Sequence, residues 1–138
     1  KPLEATPEQV DYLDTLSMLF NICLVNFKKS IILTEGPMDS FLLYKNSISN
    51  TGANKELSLD IPVKYFYDFD DTGRKKSMEK LNQGYEVFLW TKFISNNNLP
   101  YRKKWDVNDA ILYFHQKNIK VPNFEEYFSN DPLDIIDI

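Results

Sequence analysis

The chain has 138 residues, of which 43% are hydrophobic and 26% charged, and its formal net charge is −4. This length suits one domain with a real core, and the acidic balance argues against a surface built mainly to bind DNA phosphates. No apolar run approaches the roughly 18 residues that a membrane span needs. A lone cysteine, Cys23, fits a reducing compartment, so we expect a cytoplasmic protein. Because the chain begins at Lys1, we expect a piece of a longer protein.

The N-terminal segment predicts an amphipathic helix over residues 6–27. Thr6 suits the cap position, Pro7 suits the first turn, and apolar side chains recur every three or four residues from Val10 onward. We assign residues 1–29 to an N-terminal helical segment that precedes the main domain.

Short apolar runs alternate with helical patterns in the rest of the chain. The predicted strands are SIILT (30–34), a brief one in SISNTGAN (47–54), VKYFYDF (63–69) and YEVFLW (85–90). The predicted helices are MDSFLLYKN (38–46), KELSLDI (55–61), DTGRKKSMEKLNQG (71–84, ended by its glycine) and DVNDAILYFHQKN (106–118), and ISNNNLPYRKK (94–104) predicts a loop. This alternation predicts an α/β fold with a mostly parallel four-stranded sheet between helices, which binds ligands at the carboxyl ends of its strands.

Large rings and a charged tail complete the pattern. We expect the strand aromatics to fill the core rather than to stack on bases. The acidic, aromatic tail over residues 119–138 predicts a loose terminus, and a peptide that binds a partner is the alternative. The aromatic residues in question are Tyr65, Phe66, Tyr67, Phe88 and Trp90.

Acidic side chains end two of the predicted strands. Glu35 follows SIILT, and Asp68 and Asp70 lie two residues apart, so in extended backbone they point the same way. Asp71 either faces elsewhere or caps the helix that follows. Gly73 lets the chain turn tightly into that helix. Paired carboxylates suit Mg²⁺, which leaves positions for phosphate and water. A turn or a solvated cap is the alternative for such a run of aspartates.

A third acidic group starts the last helix. Asp106 and Asp109 are either part of the same site or an acidic version of a capping box. Asp39, at the start of an earlier helix, has the same two interpretations.

The segments TEGPMDSFLL, SISNTGA, DFDDTG, EKLNQGYEVFLW and DVNDAIL, in this order, resemble a Toprim domain. The Toprim domain is the metal-binding module of bacterial-type primases, type IA and II topoisomerases and some nucleases. The likeness is greatest to the C-terminal catalytic half of the DNA primases of T-even-like phages. It implies a Rossmann-like Toprim core over residues 30–118, and metal-dependent synthesis of RNA primers from nucleoside triphosphates on single-stranded DNA.

The resemblance also implies roles for individual residues. Many relatives carry Lys-Asp in the last motif, whereas here Trp105 precedes the acid and Lys104 comes one position earlier. By the resemblance, Glu35 is a metal ligand or a proton-transfer group, Asp68, Asp70 and Asp106 hold Mg²⁺ or Mn²⁺, Asp39 and Asp109 support the site, and Asn108 orients the loop.

Two basic groups flank the acids. Either they bind triphosphate or template, or they form a solvated face. Arg74 favours phosphate binding because it lies near a helix N-terminus. The two groups are Arg74, Lys75, Lys76 and Lys80 after DFDD, and Arg102, Lys103 and Lys104 before Asp106.

A phage primase implies a replicative helicase and other replisome proteins as partners, no membrane, and the host cytoplasm if the protein is viral. A Toprim nuclease would use the same acids to cut nucleic acid. A non-catalytic scaffold would dock replication partners through the opening helix and DPLDIIDI. A topoisomerase would need a nucleophilic tyrosine on another domain. We expect the fragment alone to prime poorly, because a broad basic surface for template is missing from its sequence.

Overall fold

A computed structural model describes residues 6–8, 19–20, 25–43, 46–50 and 61–138. The predicted helix over residues 55–61 falls almost entirely outside these ranges, and so does Cys23. None of the helices within the described ranges is both long enough and apolar enough to cross a membrane.

The described strands form one sheet in the order β1-β3-β2-β4-β5-β6. The four central strands run parallel, as the sequence predicts, and each edge carries a short antiparallel strand that the sequence did not predict. Their bounds are β1 Leu19–Phe20, β2 Ile31–Thr34, β3 Ser47–Asn50, β4 Val63–Phe66, β5 Glu86–Phe88 and β6 Phe128–Ser129.

Helices cover both faces of this sheet, an arrangement compatible with a Rossmann-like fold. Successive strand residues point to opposite faces, so Ile32, Phe66 and Phe88 join one core cluster and their neighbours join the other. The described helices are α1 Pro37–Leu43, α2 Asp71–Asn82, α3 Trp90–Asn96 and α4 Val107–Gln116, followed by the 3₁₀ turns η1 Phe124–Tyr127 and η2 Pro132–Asp137. Side chains of α1, α3, α4 and η1 contribute to the first cluster, and Leu81 of α2 with Ile138 to the second.

The aromatic core is confirmed. The rings of Phe66 and Phe88 stack with their centroids 3.9 Å apart, and Trp90 meets both rings edge-on. Tyr65 is also buried, whereas Tyr67 is half-buried. The four buried aromatic side chains therefore serve packing, as the sequence predicts.

The N-terminal prediction is wrong over part of its length. Pro7 and Glu8 are helical, but Leu19–Phe20 is a strand that pairs with Ser49 and Asn50 of β3, and residues 25–27 are not helical. A short apolar run fits either a buried helix or a strand by its spacing. Here the open edge of β3 favours a strand, because pairing with β1 satisfies backbone groups of β3 that would otherwise lack partners.

The segment after β5 also differs from the prediction. The strand ends at Phe88, and helix α3 occupies part of what the sequence predicted as strand and loop. Trp90 and Phe93 lie three residues apart and are both buried, which gives this short helix its apolar face. The helix is followed by Asn98 in the left-handed region (φ 53°), so the run of asparagines marks its end rather than a loop throughout.

The C-terminal segment is part of the fold, and the prediction of a loose terminus is wrong. Phe124 and Ile138 are buried in the two core clusters, and β6 pairs with β5. The acidic residues suggested a solvated tail, but the apolar residues between them supply the contacts. The boundary at residue 118 therefore does not separate a packed core from a free tail.

Candidate functional site

The carboxyl ends of β2 and β4 bring the first two acids together. These strands are parallel neighbours with Thr34 opposite Phe66, so the residues that follow them emerge at the same edge of the sheet. The backbone N–H of Asp68 donates a 3.1 Å hydrogen bond to Glu35 Oε2. The sequence-based pairing of Glu35 with Asp68 is thus reproduced by a direct contact.

Asp70 starts helix α2. It is the N-cap residue in extended backbone, and its Oδ1 accepts a 2.7 Å hydrogen bond from the N–H of Gly73. Asp71, which the sequence offered as the cap, is instead the first helical residue and is exposed. The second oxygen of Asp70 remains directed toward the site, where it meets Lys104.

Gly73 is needed for a reason other than the predicted tight turn. It lies inside α2, and a Cβ atom at this position would come within 2.0 Å of the Asp68 carbonyl oxygen. That separation is far below any van der Waals contact, so only glycine allows the helix to start against the Asp68 backbone. Close approach at Gly73 therefore fixes Asp70 beside Asp68.

Lys104 faces both aspartates. Its Nζ lies 3.7 Å from Asp68 Oδ2 and 3.5 Å from Asp70 Oδ2. The next residue, Trp105, is fully buried and exchanges two backbone hydrogen bonds with Phe69, of 2.7 and 3.1 Å. Because Phe69 lies between the two aspartates, this bridge fastens the loop of Lys104 to the loop of the acids.

Lys76 neutralises Glu35 from helix α2. Its Nζ donates a 3.0 Å hydrogen bond to Glu35 Oε1 and lies 5.5 Å from the centroid of the Tyr67 ring. Both oxygens of Glu35 therefore have donors, one from Lys76 and one from the Asp68 backbone. This makes Glu35 the residue that ties α2 to the ends of β2 and β4.

The third acidic group forms a capping box. Asp106 Oδ1 accepts a 2.7 Å hydrogen bond from the N–H of Asp109, and Asp109 Oδ2 accepts a 3.2 Å bond from the N–H of Asp106. The capping interpretation therefore holds for both residues. Asp39 is buried, and its Oδ1 accepts a 3.3 Å bond from the N–H of Asn108. Its carboxyl also accepts a hydrogen bond from the backbone of Gly36, just before α1, so the capping interpretation holds in part. Asn108 thus orients this junction through its backbone.

Burial and crowding raise the pKa of two acids at the site. Burial is the main cause at Asp68, followed by the charge and a side-chain hydrogen bond of Glu35, while Lys104 acts in the opposite direction on that pKa. Burial, then the charge of Asp106, raises the pKa of Asp39 to about 6. In turn, Asp68 raises the pKa of Lys104. Burial and neighbouring like charges thus disfavour the ionised form of both carboxyl groups.

The donor set suits a hard divalent cation, although it is not a preformed metal centre. Within the described ranges, no three histidine, cysteine or acidic side chains are grouped around one point. Oxygens of Asp68 and Asp70 nevertheless face a single cationic group, the Lys104 ammonium. Carboxylate oxygens are the ligands that Mg²⁺ and Mn²⁺ prefer. The residues therefore fit such an ion in the place of the ammonium.

The remaining basic residues border the site without entering it. Arg74 and Lys75 are exposed on α2, and in the described part of the chain no ion pair joins them to Glu35, Asp68 or Asp70. The sequence did not predict the Phe69–Trp105 bridge, although a tryptophan directly before an acid, as in KKWD, was a signal for it. It also did not predict the 2.8 Å hydrogen bond that Trp90 Nε1 donates to the Tyr67 carbonyl.

Comparison with profiles of known protein families gives no match for this chain. No curated protein sequence matches it either.

Proposed function

We propose that this chain is the Toprim catalytic domain of a DNA primase, which makes RNA primers from nucleoside triphosphates on single-stranded DNA. The observation that carries the proposal is the position of Asp68 and Asp70 at the carboxyl edge of a parallel sheet, with the Lys104 ammonium within 4 Å of both and with Glu35 bonded to the Asp68 backbone N–H. The order of the acidic motifs along the chain supports the same assignment.

Asp68 and Asp70 would hold Mg²⁺ or Mn²⁺ in this scheme. Such an ion, when bound, neutralises triphosphate charge and makes a 3′-hydroxyl more acidic. Glu35 would position Asp68 by accepting the hydrogen bond of the Asp68 backbone N–H. Asp106 acts at longer range: it contributes to the raised pKa of Asp39, and its Oδ1 serves the capping box.

The basic side chains would take the phosphates. Lys76 and Lys104 already lie against the acids, and Arg74 and Lys75 project from the first two turns of α2. A helix N-terminus with cations nearby favours an anion, so an incoming triphosphate has partners on this side of the site. A template strand needs a wider basic surface than these residues supply.

The parent protein would work with single-stranded DNA, a replicative helicase and other replisome proteins. We expect it in the cytoplasm, that of the host cell if the protein is viral. We also expect the chain alone to prime poorly, because its net charge of −4 opposes template binding.

The test is primer synthesis by the parent protein on single-stranded DNA with labelled nucleotides and Mg²⁺. Asp68→Asn and Asp70→Asn should abolish the product, and Asp71→Asn, an exposed acid of the same segment, should leave it. Metal-dependent nicking in the absence of nucleotides would replace the primase with a nuclease. A protein that binds replication partners but neither primes nor cuts would be a scaffold, which overturns the enzymatic assignment.

A further inference from the structure

We infer that Lys104 is an internal cation that competes with the divalent ion for Asp68 and Asp70, and that its release couples metal binding to triphosphate binding. This inference rests on the proposed function, since it concerns the regulation of the same site. Lys104 then has two partners in turn: the aspartates in the free protein, and the phosphates when the metal has entered.

The contacts of Lys104 are those of a replaceable ion. Its Nζ lies within 4 Å of one oxygen of each aspartate, the two oxygens that would also face a metal. The lysine side chain is 57% exposed, whereas those of Asp68 and Asp70 are 15% and 28% exposed. The ammonium is therefore the more exposed partner, and a solvent-exposed ion pair of this kind is weak enough to exchange.

The main chain beside Lys104 can stay in place during this exchange. The Phe69–Trp105 backbone bridge and the buried Trp105 ring hold the loop, so only the flexible lysine side chain has to move. Arg102, on the same loop, lies over the Trp105 ring with its guanidinium carbon 4.2 Å from the centroid. Arg102 thus lies on the ring, and Lys104 is the side chain of this loop that forms ion pairs with the two aspartates.

Lys76 differs from Lys104 in a way that makes the exchange specific. It belongs to the body of α2, donates to Glu35 at 3.0 Å and also contacts the Tyr67 ring. Glu35 in turn holds the Asp68 backbone, so loss of Lys76 would disturb the scaffold of the site. Lys104 meets the aspartates through its ammonium group, and its departure leaves the hydrogen bonds of Asp68 N–H and Asp70 Oδ1 in place.

Coupling follows from the exchange. A triphosphate that pairs with the Lys104 ammonium removes the competitor of the metal, and a bound metal frees the ammonium for the triphosphate. Each ligand then raises the affinity of the other by the same factor, as linkage requires. The free chain would thus hold metal loosely until a nucleotide arrives.

Calorimetry with Mn²⁺ alone tests the competition on the intact chain. Lys104→Met should bind Mn²⁺ about two- to fivefold more tightly than the wild type, since an exposed ion pair has been removed. Lys103→Met removes the same charge from the neighbouring position and should change the affinity less. Lys104→Arg keeps a competing charge and should stay near the wild type. Thermal unfolding checks that all variants fold.

Two further measurements complete the design. The ¹⁵N signal of the Lys104 ammonium should shift when Mg²⁺ is added, and that of Lys103 should not. A non-hydrolysable nucleoside triphosphate should tighten Mn²⁺ binding to the wild type and do so less in Lys104→Met.

The outcomes separate the two proposals. If the wild type binds Mn²⁺ through Asp68, as shown by loss in Asp68→Asn, but Lys104→Met binds equally or more weakly, the competition is overturned and the metal site survives. If the wild type binds no better than Asp68→Asn, the metal site falls and the competition falls with it.

Discussion

The backbone N–H of Asp68 donates a hydrogen bond to the side chain of Glu35, across two neighbouring parallel strands. This contact joins the acid that ends β2 to the acid that follows β4, and it is made by a side-chain oxygen rather than by the ladder of the sheet. It places two negative charges side by side at an edge where Lys76 and Lys104 supply the compensating charge.

Replacing Glu35 by Gln should lower the pKa of Asp68. The charge of Glu35 and its hydrogen bond are among the causes that raise this pKa, and a glutamine oxygen can still accept the Asp68 N–H. Carboxyl ¹³C shifts followed during a pH titration measure the change. Glu79→Gln, an exposed acid of α2, is the control, and an unaltered Asp68 titration in Glu35→Gln would contradict the electrostatic account.

Mn²⁺ affinity should rise with pH through the neutral range. Asp68 has a raised pKa, so protons compete with the metal at a pH where an ordinary aspartate is already ionised. Calorimetric titrations at a series of pH values measure this slope. Asp68→Asn should bind weakly with a flatter pH profile, and a wild-type affinity that stays constant between pH 6 and pH 9 would count against the prediction.

Asp39 should make the fold less stable as pH rises. Its folded pKa is raised from 3.8 to about 6, so the stability that the neutral form provides is complete below the unfolded value and is lost as pH passes the folded value. The loss is roughly 2–3 kcal/mol. Chemical denaturation of Asp39→Asn between pH 4 and pH 7 should show a smaller decline than the wild type.

Asp71→Asn is the control for this prediction because Asp71 is exposed. The stability of Asp71→Asn should fall with rising pH as much as that of the wild type. Equal slopes for Asp39→Asn and the wild type would mean that the buried Asp39 carboxyl is not the source.

Gly73→Ala should destabilise the fold by about 3 kcal/mol, because the added methyl group meets the Asp68 carbonyl oxygen and helix α2 has to shift. Gly84→Ala is the comparison. Gly84 has φ +88° with open space around it, so alanine there costs about 1 kcal/mol through backbone strain alone. Urea denaturation measures both, and a smaller loss at Gly73 than at Gly84 would refute the close-approach argument.

Ile138→Ala should cost about 2–4 kcal/mol, since the Ile138 side chain is only 1% exposed in the second core cluster. Ile136→Ala makes the same chemical change two residues earlier at a side chain that is 74% exposed, and it should cost less than about 0.5 kcal/mol. Thermal unfolding compares the pair. Equal stability of the two variants would instead support the loose C-terminus that the sequence predicted.

The central strands and the acids at their ends were predictable because both are local patterns. SIILT contains an unbroken apolar run, and VKYF is rich in β-branched and aromatic residues. An acid directly after a parallel strand lies at the sheet edge whatever the rest of the chain does. The capping box of Asp106 and Asp109 was visible as a spacing of three residues. The two lysines at the acids were among the predicted basic groups, but their partners were not predictable from spacing.

The features that the sequence did not yield depend on distant partners. Leu19–Phe20 is a strand only because β3 offers an edge for pairing. Ile138 is buried only because it packs in the second core cluster, where the Thr91 hydroxyl donates a 2.8 Å hydrogen bond to its carbonyl. Asp70 as the cap of α2 depends on the close approach of Gly73 to Asp68. Neither apolar spacing nor residue type encodes these contacts.

Asp70 both caps α2 and faces the site, and this limits the number of its oxygens that are available to a ligand. Its Oδ1 is committed to the Gly73 amide, which holds the first turn of α2, and its Oδ2 alone faces the site. Asp70 would therefore offer only one oxygen to an ion that bound here. A larger cation such as Ca²⁺, which favours chelation by both oxygens of a carboxylate, would have to pull Asp70 from the helix that it begins.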